Sequence, residues 1–221
     1  MLNLPDNTVF NRRIPKQKFY QNLPVSSKIV KLFTDQIDSI HWTHKLAPDT
    51  INVDVGPTVS EIQILKIELK SNVLDEHVAT LIDREIPYHL VFLVCYQGYG
   101  QLWIAYKEAA RNREAKFKVD RYYKSDWKPI DELNLTLEGL NLDQVYESIL
   151  LQIAGDQVAK DEGEELKTAL DRSQEVERLK KAMARLEKRM LRERQYNIQV
   201  ELHGELRKLK KELSRLEERR A

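Results

Sequence analysis

The chain has 221 residues and one cysteine, and its 36 Lys and Arg nearly balance 35 Asp and Glu. This length suits one ordinary domain plus an extension. A lone cysteine excludes an internal disulfide and suits a reducing compartment, so we expect a cytoplasmic protein. No signal-peptide pattern opens the sequence. No apolar run approaches the roughly 18 residues that a membrane span needs, so we expect no membrane partner.

Charge is distributed unevenly along the chain. Residues 1–50 carry seven Lys and Arg against four Asp and Glu, and residues 51–163 carry twelve against nineteen. Residues 164–221 carry seventeen against twelve. The middle of the chain and its tail therefore have opposite net charge, which indicates that they do different jobs.

The first third of the chain alternates between breakers and periodic segments. Residues 1–25 contain three prolines and are predicted to be an irregular N-terminal arm. Apolar residues at helical spacing predict a helix over about 26–40, followed by a connector over 41–50. Alternating apolar residues predict a short strand at 51–55 and a longer strand at 60–70.

The middle of the chain predicts a mixed sheet. A helix is expected over 74–86 and a continuous apolar strand, buried on both faces, over 88–96. Further strands are expected over 101–109 and 116–127, and a helix over 141–154. The strand–helix–strand unit favours a parallel pair with a right-handed crossover. We therefore predict a compact α/β or α+β domain over residues 26–154, built as a mixed β-sheet with flanking helices.

After a polar linker at 155–163, residues 164–221 change character. Apolar residues recur at intervals of three and four, as in the seams of coiled coils. These seam residues are Val176, Leu179, Met183, Leu186, Met190, Leu206, Leu209, Leu213 and Leu216. The two halves of this pattern are out of register, so two arrangements stay open. We favour one long, locally distorted helix of about 84 Å over a helical hairpin that folds back near 195–204.

Several longer strings resemble those of a known family. They are IPKQKFY at 14–20, KLFTDQIDSIHWTHKLAPDTINV at 31–53, EIQILKIELK at 61–70 with the strand region that follows it, and RQYNIQVELHGELRKLKKEL at 194–213. Together they resemble the bacterial domain-of-unknown-function family 4391. The resemblance implies a compact α/β part with a helical C-terminus, often encoded beside helicases and DNA methyltransferases of restriction-like, anti-phage systems. It implies a DNA-related accessory role and assigns no catalytic residue.

One strand end carries a possible nuclease motif. Glu68 and Lys70 have the spacing found in metal-dependent nucleases of the PD-(D/E)XK class, and Asp54 precedes them as a possible second carboxylate for Mg²⁺. The predicted elements are one strand short of the usual three-strand hairpin before the crossover helix. We favour the other interpretation, in which Glu68 and Lys70 belong to the wet face of an ordinary strand, and we expect no catalytic residue there.

Other ligand chemistries have little support in the sequence. His41 and His44 lack the further ligands that a zinc site requires, so we expect no metal and assign them a structural or surface role. No glycine-rich phosphate loop occurs, and no cofactor is expected apart from Mg²⁺ under the nuclease alternative.

The strongest charge feature is in the tail. Eight cations lie within seventeen residues: Arg178, Lys180, Lys181, Arg185, Lys188, Arg189, Arg192 and Arg194. Such a helix could bind DNA phosphates, although charged outer positions are also usual in coiled coils. We expect a non-enzymatic accessory protein that uses its coiled coil for self-association or partner docking. Non-specific nucleic-acid binding by the tail and a PD-(D/E)XK-like nuclease are the alternatives.

Overall fold

The computed structural model of the chain describes residues 2–21, 26–109 and 117–218. The chain divides after Gly155 into two compact units, Met1–Gly155 and Asp156–Ala221. Parts of three predicted segments lie outside the described residues. These parts are Met1 and residues 22–25 of the arm, Lys116 at the start of the last predicted strand, and residues 219–221 of the tail.

The first unit is built around one mixed sheet. Its strands are β1 (Val9–Ile14), β2 (Ile37–Leu46), β3 (Ile62–Leu69), β4 (His89–Tyr96), β5 (Tyr99–Ala109), β6 (Phe117–Lys124) and β7 (Lys128–Pro129). Its helices are α1 (Ser27–Gln36), α2 (Pro48–Ile51), α3 (Glu76–Glu85) and α4 (Leu142–Ala154). The order is β1-β2-β3-β4-β5-β6, with β7 paired to β5. Among the strands of the described residues, only β3 and β4 pair in parallel. The predicted mixed α/β architecture and its parallel pair are confirmed.

Helices cover both faces of this sheet. Phe33 of α1 and Val78 and Ile82 of α3 belong to one apolar cluster that also contains Leu65, Ile67 and Leu69 of β3. On the opposite face, α4 packs on β5 and β6. Because successive strand residues point to opposite faces, the alternating residues Lys66 and Glu68 lie on the α4 side of the sheet. Both are only half-buried.

The prediction of a helix up to residue 40 was wrong, because α1 ends at Gln36 and β2 begins at Ile37. Ile37 and Ile40 stand three residues apart, as on a helix. In the structure, the register of β2 against β3 shifts between Ile37 and Ser39. This bulge places both isoleucines in the same buried cluster. An inserted strand residue therefore produced apolar spacing typical of a helix.

Two further short elements differ from prediction. The predicted irregular arm contains β1, which pairs with β2 at the edge of the sheet. The predicted strand at 51–55 is absent, because α2 ends at Ile51 and Asp54 forms only an isolated bridge to Asn141. The segment after Asp54 is held instead by α4, where the Asp143 carboxylate accepts hydrogen bonds from the Thr58 and Val59 amides at 3.2 and 2.7 Å.

The second unit is a helical hairpin, so the favoured single long helix was wrong. It consists of α5 (Leu166–Met190) and α6 (Tyr196–Glu218), which pack against each other. Lys180 lies 3.6 Å from Glu217, and Lys210 lies 4.0 Å from Glu187. Positions that ascend along α5 thus meet positions that descend along α6, and the two helices are antiparallel.

Polar side chains form the turn between these helices without any glycine or proline. The Glu193 carboxylate accepts hydrogen bonds from the Arg194 and Gln195 amides, both at 2.9 Å. The Gln199 side chain donates to the Glu193 carbonyl at 2.7 Å. These contacts satisfy backbone groups that a helix end leaves unpaired. Without a turn residue such as glycine, the sequence carried no strong signal for this reversal.

The predicted linker is ordered by one arginine of α5. The Arg172 guanidinium donates to the Ala159 carbonyl at 2.6 Å and to the carboxylates of Asp161 and Glu164, both at 2.9 Å. The start of α5 is therefore tied to the segment that precedes it. Among the described residues, no helix combines the length and apolar character of a bilayer-crossing segment.

Candidate functional site

The three residues of the nuclease hypothesis do not converge. The Asp54 backbone pairs with Leu140 and Leu142 beside the start of α4, in the segment that leads into β3. Glu68 is six residues along β3 from Ile62, a distance of about 20 Å at the rise of an extended strand. Asp54 and Glu68 are therefore near opposite ends of β3 and cannot share one metal ion.

Glu68 and Lys70 have separate local partners. Glu68 forms an ion pair with Lys66 on the half-exposed face of the strand, with 2.5 Å between the Glu68 Oε1 and Lys66 Nζ atoms. The Lys70 ammonium donates to the Thr34 carbonyl at 2.8 Å, where a cation is favoured by the C-terminus of α1. Glu68 therefore belongs to the half-exposed face of β3, and Lys70 binds the C-terminal end of α1.

The sheet nevertheless supplies the strand that the prediction lacked. With β1 included, three antiparallel strands precede the crossover helix α3 and its parallel partner β4. This strand order does not bring the carboxylates of the nuclease hypothesis together. Within the described ranges, no group of three or more His, Cys, Asp or Glu side chains could hold a metal ion, Mg²⁺ included.

The histidine pair and the cysteine are both placed in the sheet. His41 and His44 lie on β2, and burial lowers the pKa of His44. Cys95 is buried in β4, and burial raises the pKa of its thiol to about 12. A thiol with that pKa is protonated at neutral pH and is a poor nucleophile.

A buried ionic cluster joins α3 to the sheet. The Lys107 ammonium lies 2.6 Å from an Asp83 oxygen, and the two side chains are 0% and 1% exposed. Tyr122 donates a hydrogen bond to the other Asp83 oxygen, and Lys107 also donates to the Tyr88 carbonyl at 2.7 Å. Sequence patterns did not identify this cluster. Its burial closes it to a substrate, so its role is structural.

The hairpin carries the predicted seam and the predicted basic residues. Of the predicted seam, only Leu179 and Leu206 are buried, together with Leu202 of α6. The other seam residues are half-buried: Val176, Met183, Leu186, Met190, Leu209, Leu213 and Leu216. Two helices thus cover the seam in part and leave an apolar strip accessible along their contact.

The eight predicted cations divide into two groups. Three form ion pairs inside the hairpin, in which Arg178 binds Glu175, Lys181 binds Glu177 and Lys180 binds Glu217. The other five are exposed and, among the residues that the structure describes, take part in no ion pair. We call these five the basic strip: Arg185, Lys188, Arg189, Arg192 and Arg194.

The basic strip lies where the positive charge of the tail is concentrated. Residues 185–211 hold nine Lys and Arg against four Glu, an excess of five that equals the excess of the whole tail. Four strip residues and Glu193 line a shallow cleft of about 300 Å³ at the end of α5. The four are Arg185, Lys188, Arg189 and Arg192. An open cleft walled by unpaired cations is suited to an anion with several charges.

Taken together, the sheet and the hairpin define a mixed α/β protein with a basic helical extension. The chain belongs to the family described as Domain of unknown function (DUF4391), whose model matches residues 2–213. This match confirms the resemblance seen in the sequence and includes most of the hairpin. Searches of curated proteins and of solved structures each found no match.

Proposed function

We propose that this protein is a non-enzymatic accessory protein of a DNA-processing system and that its hairpin binds nucleic-acid phosphates. The observation that carries the proposal is the basic strip, in which five exposed cations have no ion-pair partner in the described part of the chain. The restriction-like, anti-phage setting rests on the family resemblance alone.

The physical basis is the release of counterions from the phosphate backbone. Each cation that neutralises a phosphate releases a condensed ion, so affinity falls as salt rises. Phosphate contacts position a protein on a nucleic acid but do not distinguish one base sequence from another. The strip consists of Arg and Lys side chains on the last turns of α5 and in the turn that follows it. Binding should therefore be weakly sequence-specific.

A salt titration tests this proposal. With five phosphate contacts, the logarithm of affinity should fall against the logarithm of salt with a slope of about −4.5. Between 50 and 200 mM salt, that slope corresponds to a loss of about 500-fold. Gel shift or fluorescence anisotropy on a short duplex of arbitrary sequence measures it. A second duplex of scrambled sequence is the control and should bind equally well. No binding at about 50 mM salt, where backbone contacts are strong, would contradict the proposal.

The half-buried seam favours docking of a further helix as a second candidate function. Seven apolar seam residues are accessible along the hairpin, and another helix laid against them would complete a bundle. The occupant we propose is the hairpin of a second copy. Light scattering should then report a dimer, and Met183→Glu with Leu209→Glu should return it to a monomer with unchanged helicity. A monomeric wild type would exclude a second copy as the partner that covers the apolar seam.

A further inference from the structure

The tip of the hairpin exposes three large apolar side chains. Leu191 is 89% exposed, Tyr196 is 77% exposed and Val200 is 52% exposed. They lie in the turn and in the first turn and a half of α6, whereas the partly covered seam lies along the rest of the hairpin. Exposed apolar groups gathered at one place mark a binding surface more often than scattered ones do.

This apolar tip is continuous with the basic strip. Arg192 and Arg194 lie between Leu191 and Tyr196 in the sequence, and both are exposed without an ion-pair partner in the described part of the chain. The one acidic residue of the turn, Glu193, has its carboxylate engaged with the Arg194 and Gln195 amides. The tip therefore presents one accessible aromatic ring beside unpaired cations.

We infer that the tip binds unpaired nucleotides, with a base stacked on Tyr196 and the adjoining phosphates bound by Arg192 and Arg194. This inference rests on the proposed function and names the form of nucleic acid that the hairpin prefers. A base in a duplex is already stacked on its neighbours, so an exposed ring gains nothing from it. A base in a single strand or at a frayed end has a free face, and stacking on an aromatic ring stabilises its complex.

The chemistry of the tip favours this ligand over an apolar protein surface. A protein partner that covered Tyr196 would also bring Arg192 and Arg194 out of water, and unpaired charges are costly to bury. A nucleotide has a base with a flat face and a phosphate, and one sugar joins the two. Ring stacking and phosphate binding can therefore be satisfied by the same ligand.

The test compares one strand with its duplex on the full chain. Fluorescence anisotropy is measured with a labelled oligothymidylate of about 20 nucleotides, which is longer than a single site, and with the same strand paired to oligoadenylate. Wild type should bind the single strand more tightly. Tyr196→Ala should weaken single-strand binding by about 5- to 150-fold, the range for loss of one stacked base, and should change duplex binding by less than about twofold. Tyr196→Phe should retain stacking and bind as wild type does.

Tyr99→Ala is the matched control, because Tyr99 is 53% exposed on β5 in the first unit. It should leave both affinities unchanged. Duplex binding with no single-strand preference and no effect of Tyr196→Ala would overturn this inference while the proposed function stands. Binding of neither probe by wild type would overturn both. Vesicles of phosphatidylserine form the last arm, and tighter binding to them than to DNA, lost in Tyr196→Ala, would assign the tip to a lipid surface instead.

Discussion

Replacing Arg185, Lys188, Arg189 and Arg192 with glutamate is expected to abolish duplex binding at physiological salt. The four side chains wall the cleft at the end of α5, and in the described part of the chain they form no ion pair, so their reversal breaks no ion pair there. Loss of four phosphate contacts should lower affinity by about 10³-fold at about 0.1 M salt and remove most of the salt slope. Gel shift on the duplex used for the salt titration measures the change.

A control variant separates local binding from net charge. Lys18, Lys28, Lys31 and Lys128 are exposed in the first unit, and their replacement by glutamate changes the charge of the chain by the same amount. If the basic strip binds DNA, this control should lose only the small part of affinity that comes from long-range attraction. Equal losses in both variants would show that the overall charge, and no particular surface, controls binding. Circular dichroism confirms that α5 stays helical in the strip variant.

Lys107→Met is expected to lower the free energy of unfolding by about 3–5 kcal/mol, the cost of breaking a buried ion pair from one side. Lys107 neutralises Asp83 in a fully buried position, and methionine has a similar length without the charge. Desolvation raises the pKa of Asp83, while Lys107 and then Tyr122 oppose that change. Without the ammonium, the carboxyl must either be protonated or stay buried as an uncompensated charge. Urea unfolding followed by the fluorescence of the three tryptophans, all in the first unit, measures the change.

A double variant distinguishes the lost charge from lost packing. Asp83→Leu combined with Lys107→Met removes both charges, and replacing a whole buried pair by apolar side chains is often neutral or stabilising. Most of the stability should therefore return in the double variant. Lys181→Ala is the surface control, since its pair with Glu177 is exposed and such pairs contribute at most about 1 kcal/mol. A double variant less stable than Lys107→Met would mean that the cluster stabilises the fold through its hydrogen bonds to Tyr122 and Tyr88.

The accurate predictions concern segments whose apolar pattern directly reflects which of their faces are buried. The run at 88–96 is apolar throughout because β4 is covered by helices on both faces, and its strand was predicted almost to the residue. The stripes of α3 and α4 identified both helices within two residues of their ends. A parallel pair followed from the order strand, helix, strand, since a short turn cannot join parallel neighbours.

Errors came from segments whose structure depends on distant residues. Ile37 and Ile40 have helical spacing, yet pairing of β2 with β3 around a bulge makes them strand residues of one core. β1 forms because β2 offers it an edge, and nothing in its own sequence alternates cleanly. Glu68 and Lys70 have nuclease spacing, yet the C-terminus of α1 draws Lys70 to the Thr34 carbonyl and away from Glu68.

The sequence by itself determined the mixed sheet, its parallel unit and a charged helical tail, because apolar periodicity and charge content are local properties. Only the tertiary structure decided that the tail folds back at Glu193. Side-chain hydrogen bonds close this turn, and it contains no glycine or proline from which the sequence could predict it. That reversal also selects the exposed surfaces. It covers part of the seam and pairs Lys180 with Glu217, while five cations and Tyr196 stay accessible at one end of the hairpin.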